Sequence, residues 1–185
     1  RGEQQIEEIA PKTEAVAEKI AAGGITLLRD RNGLLPIKGK IKKVTIFTYT
    51  HAEGVFHRLQ AMKQAFEERG ADLRRKPESY TDITNAVEES DLIIYAGYIG
   101  FHQPKGSPGF YGDEFWALRY AFTAGKEKSI GISLGYPFIH YFFMDDADVF
   151  VNLYTPDERV QRAFVAAVYG EREFKGVAPV DMEID

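Results

Sequence analysis

The chain contains no cysteine. Disulfide staples and thiolate metal sites are therefore excluded, while the compartment stays open, with extracellular or cell-envelope placement compatible. No apolar run approaches the roughly 20 residues needed to cross a bilayer, and the N-terminus has no signal-peptide pattern. Basic charge is not in excess: 23 Lys and Arg stand against 28 Asp and Glu, for a formal net charge of -5. That balance argues against a nucleic-acid partner, which needs a basic face. The clustered Lys38, Lys40, Lys42 and Lys43 read as a solvated turn leading into a strand.

Motifs for common chemistries are missing as well. Neither Gly97-Tyr98-Ile99-Gly100 nor Gly106-Ser107-Pro108-Gly109 fits a phosphate-binding fingerprint, and Pro108 removes a backbone donor where one is wanted. The stretch Tyr49-Thr50-His51-Ala52-Glu53-Gly54 after the first sheet strand lacks the fingerprint too. Ser133-Leu134-Gly135 makes no nucleophile elbow. His51 and His57 are six apart, off the i, i+4 spacing of a helical metal pair, and His140 stands alone. No cofactor and no metal are expected.

What is present is the alternation of an α/β protein. Hydrophobic residues make up 44% of 185 positions, enough to bury a core in one domain spanning 1–185. Glu3 to Ala22 reads as helix, broken or restarted at Ala10-Pro11, with Val16, Ile20 and Ala17 as its apolar stripe. Ile25 to Leu28 is strand-like, and Arg29-Asp30-Arg31-Asn32-Gly33 carries turn residues. Strands follow at Lys43–Thr48, Ala71–Arg74, Leu92–Ala96, Ser129–Leu134 and Val149–Tyr154. Helices are expected over Glu53–Arg69, Ser79–Asp91 (capped by Thr81 or Asp82), Asp113–Ala124 and Ile139–Met144. A last one starts at Thr155-Pro156-Asp157-Glu158 under a Thr cap and runs to Gly170. Strands alternating with helices predict a three-layer sandwich: a mainly parallel central sheet with helices on both faces.

The stretch that bears on function starts at Leu92-Ile93-Ile94-Tyr95-Ala96, an unalternating apolar run that fits a strand covered on both faces. It opens into a long loop from Gly97 to Gly112, rich in glycine, proline and aromatic residues. In open α/β sheets, ligands are met at the carboxyl ends of strands, where this loop begins. Tyr98, Phe101, His102 and Gln103 are the candidate substrate-binding residues. Phe110, Tyr111, Phe115, Trp116, Tyr136, Phe138, Tyr141 and Phe142 could stack on sugar faces, or equally form a docking surface or core. Paired carboxylates would signal glycoside hydrolysis. Asp113-Glu114, however, fits a helix start, and Asp145-Asp146, with Asp148 close behind, fits a turn before a strand. No catalytic residue is assigned.

Two stretches resemble the C-terminal domain of glycoside hydrolase family 3. The first is Ala21-Ala22-Gly23-Gly24-Ile25-Thr26-Leu27-Leu28-Arg29-Asp30 with Gly33-Leu34-Leu35-Pro36-Ile37. The second is Asp148-Val149-Phe150-Val151-Asn152-Leu153-Tyr154, then Val160 to Phe164, Tyr169-Gly170-Glu171 and Phe174 to Val180. The resemblance implies a retaining two-domain glycosidase whose N-terminal (β/α)8 barrel, about 250 residues in a typical case, carries the nucleophilic aspartate. Arg1 in place of Met suggests a piece of such a protein or a processed product. In β-glucosidase-like members the second domain lends a glutamate acid/base from the loop after a strand like Leu92–Ala96. Here that loop reads Gly100-Phe101-His102-Gln103-Pro104, without a carboxylate. The chain is thus more similar to the β-N-acetylglucosaminidase branch, whose acid/base sits on the barrel and whose second domain is mainly structural. The implied partners are the barrel of the same polypeptide and a carbohydrate substrate. Two other readings stand beside this one: a stand-alone glycan- or partner-binding module, and a free-standing enzyme using Asp113 or Glu114.

Overall fold

The Leu92 run becomes the interior of a sheet. In the computed structural model, which describes residues 2–50, 59–73, 80–98, 119–120, 122–139 and 147–179, the elements in chain order are α1 (Gly2–Gly24), β1 (Thr26–Asp30), β2 (Lys43–Thr50), α2 (Gln60–Glu67), β3 (Asp72–Leu73), α3 (Tyr80–Glu89), β4 (Leu92–Tyr98), β5 (Ser129–Ser133), β6 (Val149–Asn152) and α4 (Glu158–Val168). A 3-10 turn at Lys126–Lys128 leads into β5. The strands form one sheet in the order β1-β6-β5-β4-β2-β3. Every neighbouring pair is parallel except β1 with β6, which run antiparallel at the edge.

Side chains alternate across the sheet, so β4 feeds two cores. Leu92, Ile94 and Ala96 meet Leu59, Met62, Ala65 and Phe66 from α2 and its entry, Val160, Ala163, Phe164 and Val168 from α4, and Ala21 from α1. Ile93 and Tyr95 meet Ala86 and Val87 of α3, with Phe47, Phe122 and Phe150. Helices therefore cover both faces, as the alternation predicts. Phe66 and Phe164 are wholly buried, each worth about 1.5–3 kcal/mol against an exposed ring.

Polar groups fix how these layers meet. Asp91, just before β4, accepts the N–H groups of Lys42 (2.8 Å) and Lys43 (2.9 Å) at the start of β2. These bonds pull its carboxyl below the usual range and set the β2–β4 register. The lysine cluster itself is exposed, as expected for a solvated turn. Gln161 on α4 is fully buried. Its Oε1 accepts the N–H of Met62 (3.0 Å) in the first turn of α2, and its Nε2 donates to the carbonyl of Pro156 (2.7 Å). A side chain of one helix thus supplies the cap that α2 lacks in its own sequence.

Several boundaries differ from the sequence reading. Helix α1 is continuous through Pro11. The proline removes one backbone bond, but contacts beyond it hold the helix: Glu14 makes a two-pronged ion pair with Arg159 (2.6 and 2.7 Å) and Ala21 packs into the core. The Val16 and Ile20 positions of the apolar stripe are exposed, and the neighbouring Ala21 is the buried residue. Alanines let α1 lie close to α4, which bulkier residues would prevent. The cap of α4 is Asp157, not Thr155, because Asp157 is extended (φ -59°, ψ 139°) and its carboxylate reaches the N–H of Arg159 at 2.9 Å. Thr81 and Asp82 lie within the first turn of α3 rather than capping it. Helix α4 ends in a Schellman turn, with Gly170 N–H to Ala167 carbonyl and Glu171 N–H to Ala166 carbonyl. The described end of the Asp113–Ala124 helix, at 119–120 and 122–124, is helical, as is Ile139.

Candidate functional site

Parallel strands β2, β4, β5 and β6 end side by side, and in register: Tyr49 beside Gly97, Gly97 beside Ser133, Ser133 beside Asn152. The candidate site is this carboxyl edge. Tyr98 is the last residue of β4, half-buried against the first core and opposite Thr50. Phe101, His102 and Gln103 lie outside the described residues, as do all four histidines, Asp113, Glu114, Trp116, Asp145 and Asp146.

The next described segment along the edge is Leu134–Phe138, and buried polar side chains hold it. The N–H of Leu134 donates to the carbonyl of Gly97 at 2.8 Å, tying the segment to the start of the Tyr98 loop. Ser133 Oγ donates to the Tyr136 carbonyl (2.8 Å), and Asn152 Nδ2 approaches the Pro137 carbonyl at 3.5 Å. The rings of Tyr136 and Phe138 lie 5.3 Å apart, tilted by 56°, an edge-to-face pair presenting a half-exposed aromatic ledge. The sequence offered Ser133 only as a failed nucleophile elbow and did not mark Asn152 as a site residue. Their signal was a polar residue closing each of two strands, β5 (which also opens on Ser129) and the otherwise apolar β6.

Past β6 the backbone is unusual. Tyr154 has φ 61°, a left-handed conformation that costs a bulky residue about 1–2 kcal/mol. Its hydroxyl donates to Thr26 Oγ1 at 3.2 Å. In the described segments leaving β5 and β6 (134–139 and 153–157), the carboxylate is Asp157, already engaged as a helix cap and against Arg159 at 3.3 Å. Asp148 lies at the opposite, amino end of β6, paired with Lys126 at 3.1 Å. Among the described residues, no three His, Asp or Glu side chains gather as a metal site, and no helix is long and apolar enough to cross a membrane. The described part of the edge offers the Tyr136 and Phe138 rings and the Ser133 hydroxyl.

The two stretches that carry the family resemblance meet in space. β1 pairs with β6, Ile37 N–H donates to the Val168 carbonyl (2.9 Å), and Gly176 N–H donates to the Ile25 carbonyl (3.0 Å). No protein-family sequence model matches the chain, and no curated protein matches it. Solved structures match in shape. The beta-glucoside phosphorylase BglX gives a TM-score of 0.75 at 23% identity, over 94% of this chain and 32% of its own. A fungal multi-domain GH3 beta-N-acetylglucosaminidase gives 0.73 at 14% identity, over 95% and 20%. The glycoside hydrolase family 3 beta-N-acetylglucosaminidase from Paenibacillus sp. str. FPU-7 gives 0.62 at 16%, over 91% and 32%. The chain shares its fold with part of these glycoside hydrolase family 3 structures. It spans about a third of the length of the BglX and Paenibacillus chains, and a β-glucosidase and a β-xylosidase also match.

Proposed function

We propose that this chain is the C-terminal, largely non-catalytic domain of a retaining β-N-acetylglucosaminidase-like family 3 glycosidase. It packs on a catalytic barrel of the same polypeptide and edges the sugar site through Tyr98, Phe101, His102 and Gln103. The observation that carries the reading is a family 3 fold over nearly the whole chain, joined to a β4 loop, Gly100 to Pro104, without a carboxylate. Retaining hydrolysis needs two carboxyl groups about 5–5.5 Å apart across the scissile bond, so both are assigned to the barrel. The aromatic ledge at Tyr136 and Phe138 supports a sugar-facing edge. A second reading has its own observation: the BglX match makes a β-glucoside-active relative the alternative.

The test is an assay of the full gene product on an aryl β-N-acetylglucosaminide and an aryl β-glucoside, with and without phosphate. Hydrolysis of the first, indifferent to phosphate, is expected. Preference for the glucoside, or dependence on phosphate, would overturn the reading in favour of the second. A gene product no longer than these 185 residues would remove both.

A further inference from the structure

The large apolar side chains exposed among the described residues are Ile9 (59%), Val16 (56%), Ile20 (69%) and Val177 (86%). Single exposed apolar residues are ordinary, but an aligned row is not. With Thr13, also exposed, the α1 residues recur at spacings of four, three and four, which makes a straight seam of the kind one helix offers another surface. This seam is not the face that meets α4. That face carries Glu14, Ala17 and Ala21, roughly a quarter to a third of a turn away. Val177 follows Gly176, whose bond to Ile25 places it at the carboxyl end of the same helix. Among the described residues, α1 is tied to α4 by the exposed Glu14–Arg159 pair, and Ala21 packs into the core.

Charge narrows the occupant. Lys12 and Lys19, both exposed, flank the seam on the side away from α4. If two copies paired their seams antiparallel, Lys12 of one would face Lys19 of the other, and like charges would oppose the pairing. The family 3 structures sharing this fold carry two thirds or more of their length outside the matched part, so further polypeptide is the occupant to test. We propose that Ile9, Val16 and Ile20, extended by Val177, form the docking seam for a second domain of the same polypeptide. That domain presents an apolar groove whose rim carries carboxylates where it meets Lys12 and Lys19. The proposal rests on the function proposed above and assigns its domain contact to named residues.

The lack of native cysteine makes the seam readable. Val16→Cys, Ile20→Cys and, as an exposed control, Glu127→Cys are introduced singly into the full gene product. Maleimide labelling rates are then assigned by peptide mass. Val16→Cys and Ile20→Cys are expected to react about a hundredfold more slowly than Glu127→Cys in the folded monomer. Labelling as fast as the control would overturn the proposal. So would protection that vanishes on dilution of a particle of doubled mass, which would make a second copy the occupant. The intact mass, measured first, isolates failure of the functional reading: a product without a second domain sinks that reading and this one together. A two-domain product with a fast-labelling seam sinks this one alone.

Discussion

At the scale of single residues, the most consequential side chain is Gln161. It answers a backbone donor of α2 and a backbone acceptor before α4 from a site with no access to water. Gln161→Leu leaves the buried Met62 N–H and the part-buried Pro156 carbonyl without this partner, and is expected to cost about 1–3 kcal/mol, mostly from the Met62 donor, read as a lower midpoint in urea unfolding with unchanged slope. Gly170 is the second test. Its φ of +74° and the 3.1 Å gap from an added Cβ to Pro36 Cβ predict a loss of about 1–2 kcal/mol for Gly170→Ala, measured the same way. In the full gene product, His102→Ala or Gln103→Ala is expected to raise KM by about tenfold or less with kcat little changed. That is the mark of uniform binding at the edge of a site; a collapse of kcat would place the residue in the chemistry. Gly170 was legible in the sequence as a helix stop. Gln161 was not, since nothing in the spacing of α4 reveals that an inward glutamine will meet another helix's end.

Among elements, α1 shows where pattern reading misleads. Val16 and Ile20 have helical spacing, and spacing alone points them inward; burial went to Ala21, because contact with α4 selects small residues rather than the most apolar ones. Pro11 misled for a related reason, since tertiary contacts beyond it outweigh one lost backbone bond. The Glu14–Arg159 pair makes α1 acid-sensitive. The Arg159 guanidinium holds the Glu14 carboxyl below its ordinary value, and Arg69 does the same to Glu171. Lowered folded-state values mean that the unfolded chain binds more protons at low pH, so the stabilisation is complete above the unfolded pKa, about 4.3 for Glu, and is lost as pH falls through the lower folded values. Unfolding midpoints followed from pH 6 to 2 should fall below about pH 4, and Glu14→Gln should flatten that limb. An unchanged limb would remove the pair from the account. The pair is exposed, so the effect is small at high salt.

For the whole molecule, the sequence carried the architecture and little of the site. Leu92–Ala96 and Ser129–Leu134 are apolar on both faces because helices cover both, and that pattern survives in one dimension. A carboxyl edge is assembled from four strands far apart in the chain. The alignment of Ser133 with Asn152, and the clamp they place on the Tyr136 turn, exist only once the register is set. Assayed as the 185-residue chain, the protein is expected to leave aryl glycosides uncleaved at any pH, because the proposed chemistry resides on the barrel. Turnover by the isolated chain would revive a free-standing enzyme based on Asp113 or Glu114.

The antiparallel edge has a mechanical consequence. Residue 25, at the end of α1, is stitched to Gly176, and β1 borders the sheet only through β6. Tension drawn through α1 against the segment at Gly176 therefore enters the sheet at one corner. Once the Glu14–Arg159 tie of α1 has given way, the load falls on the β1–β6 ladder first at the Thr26–Asn152 pair. Under stretch, this edge acts as the molecule's fuse.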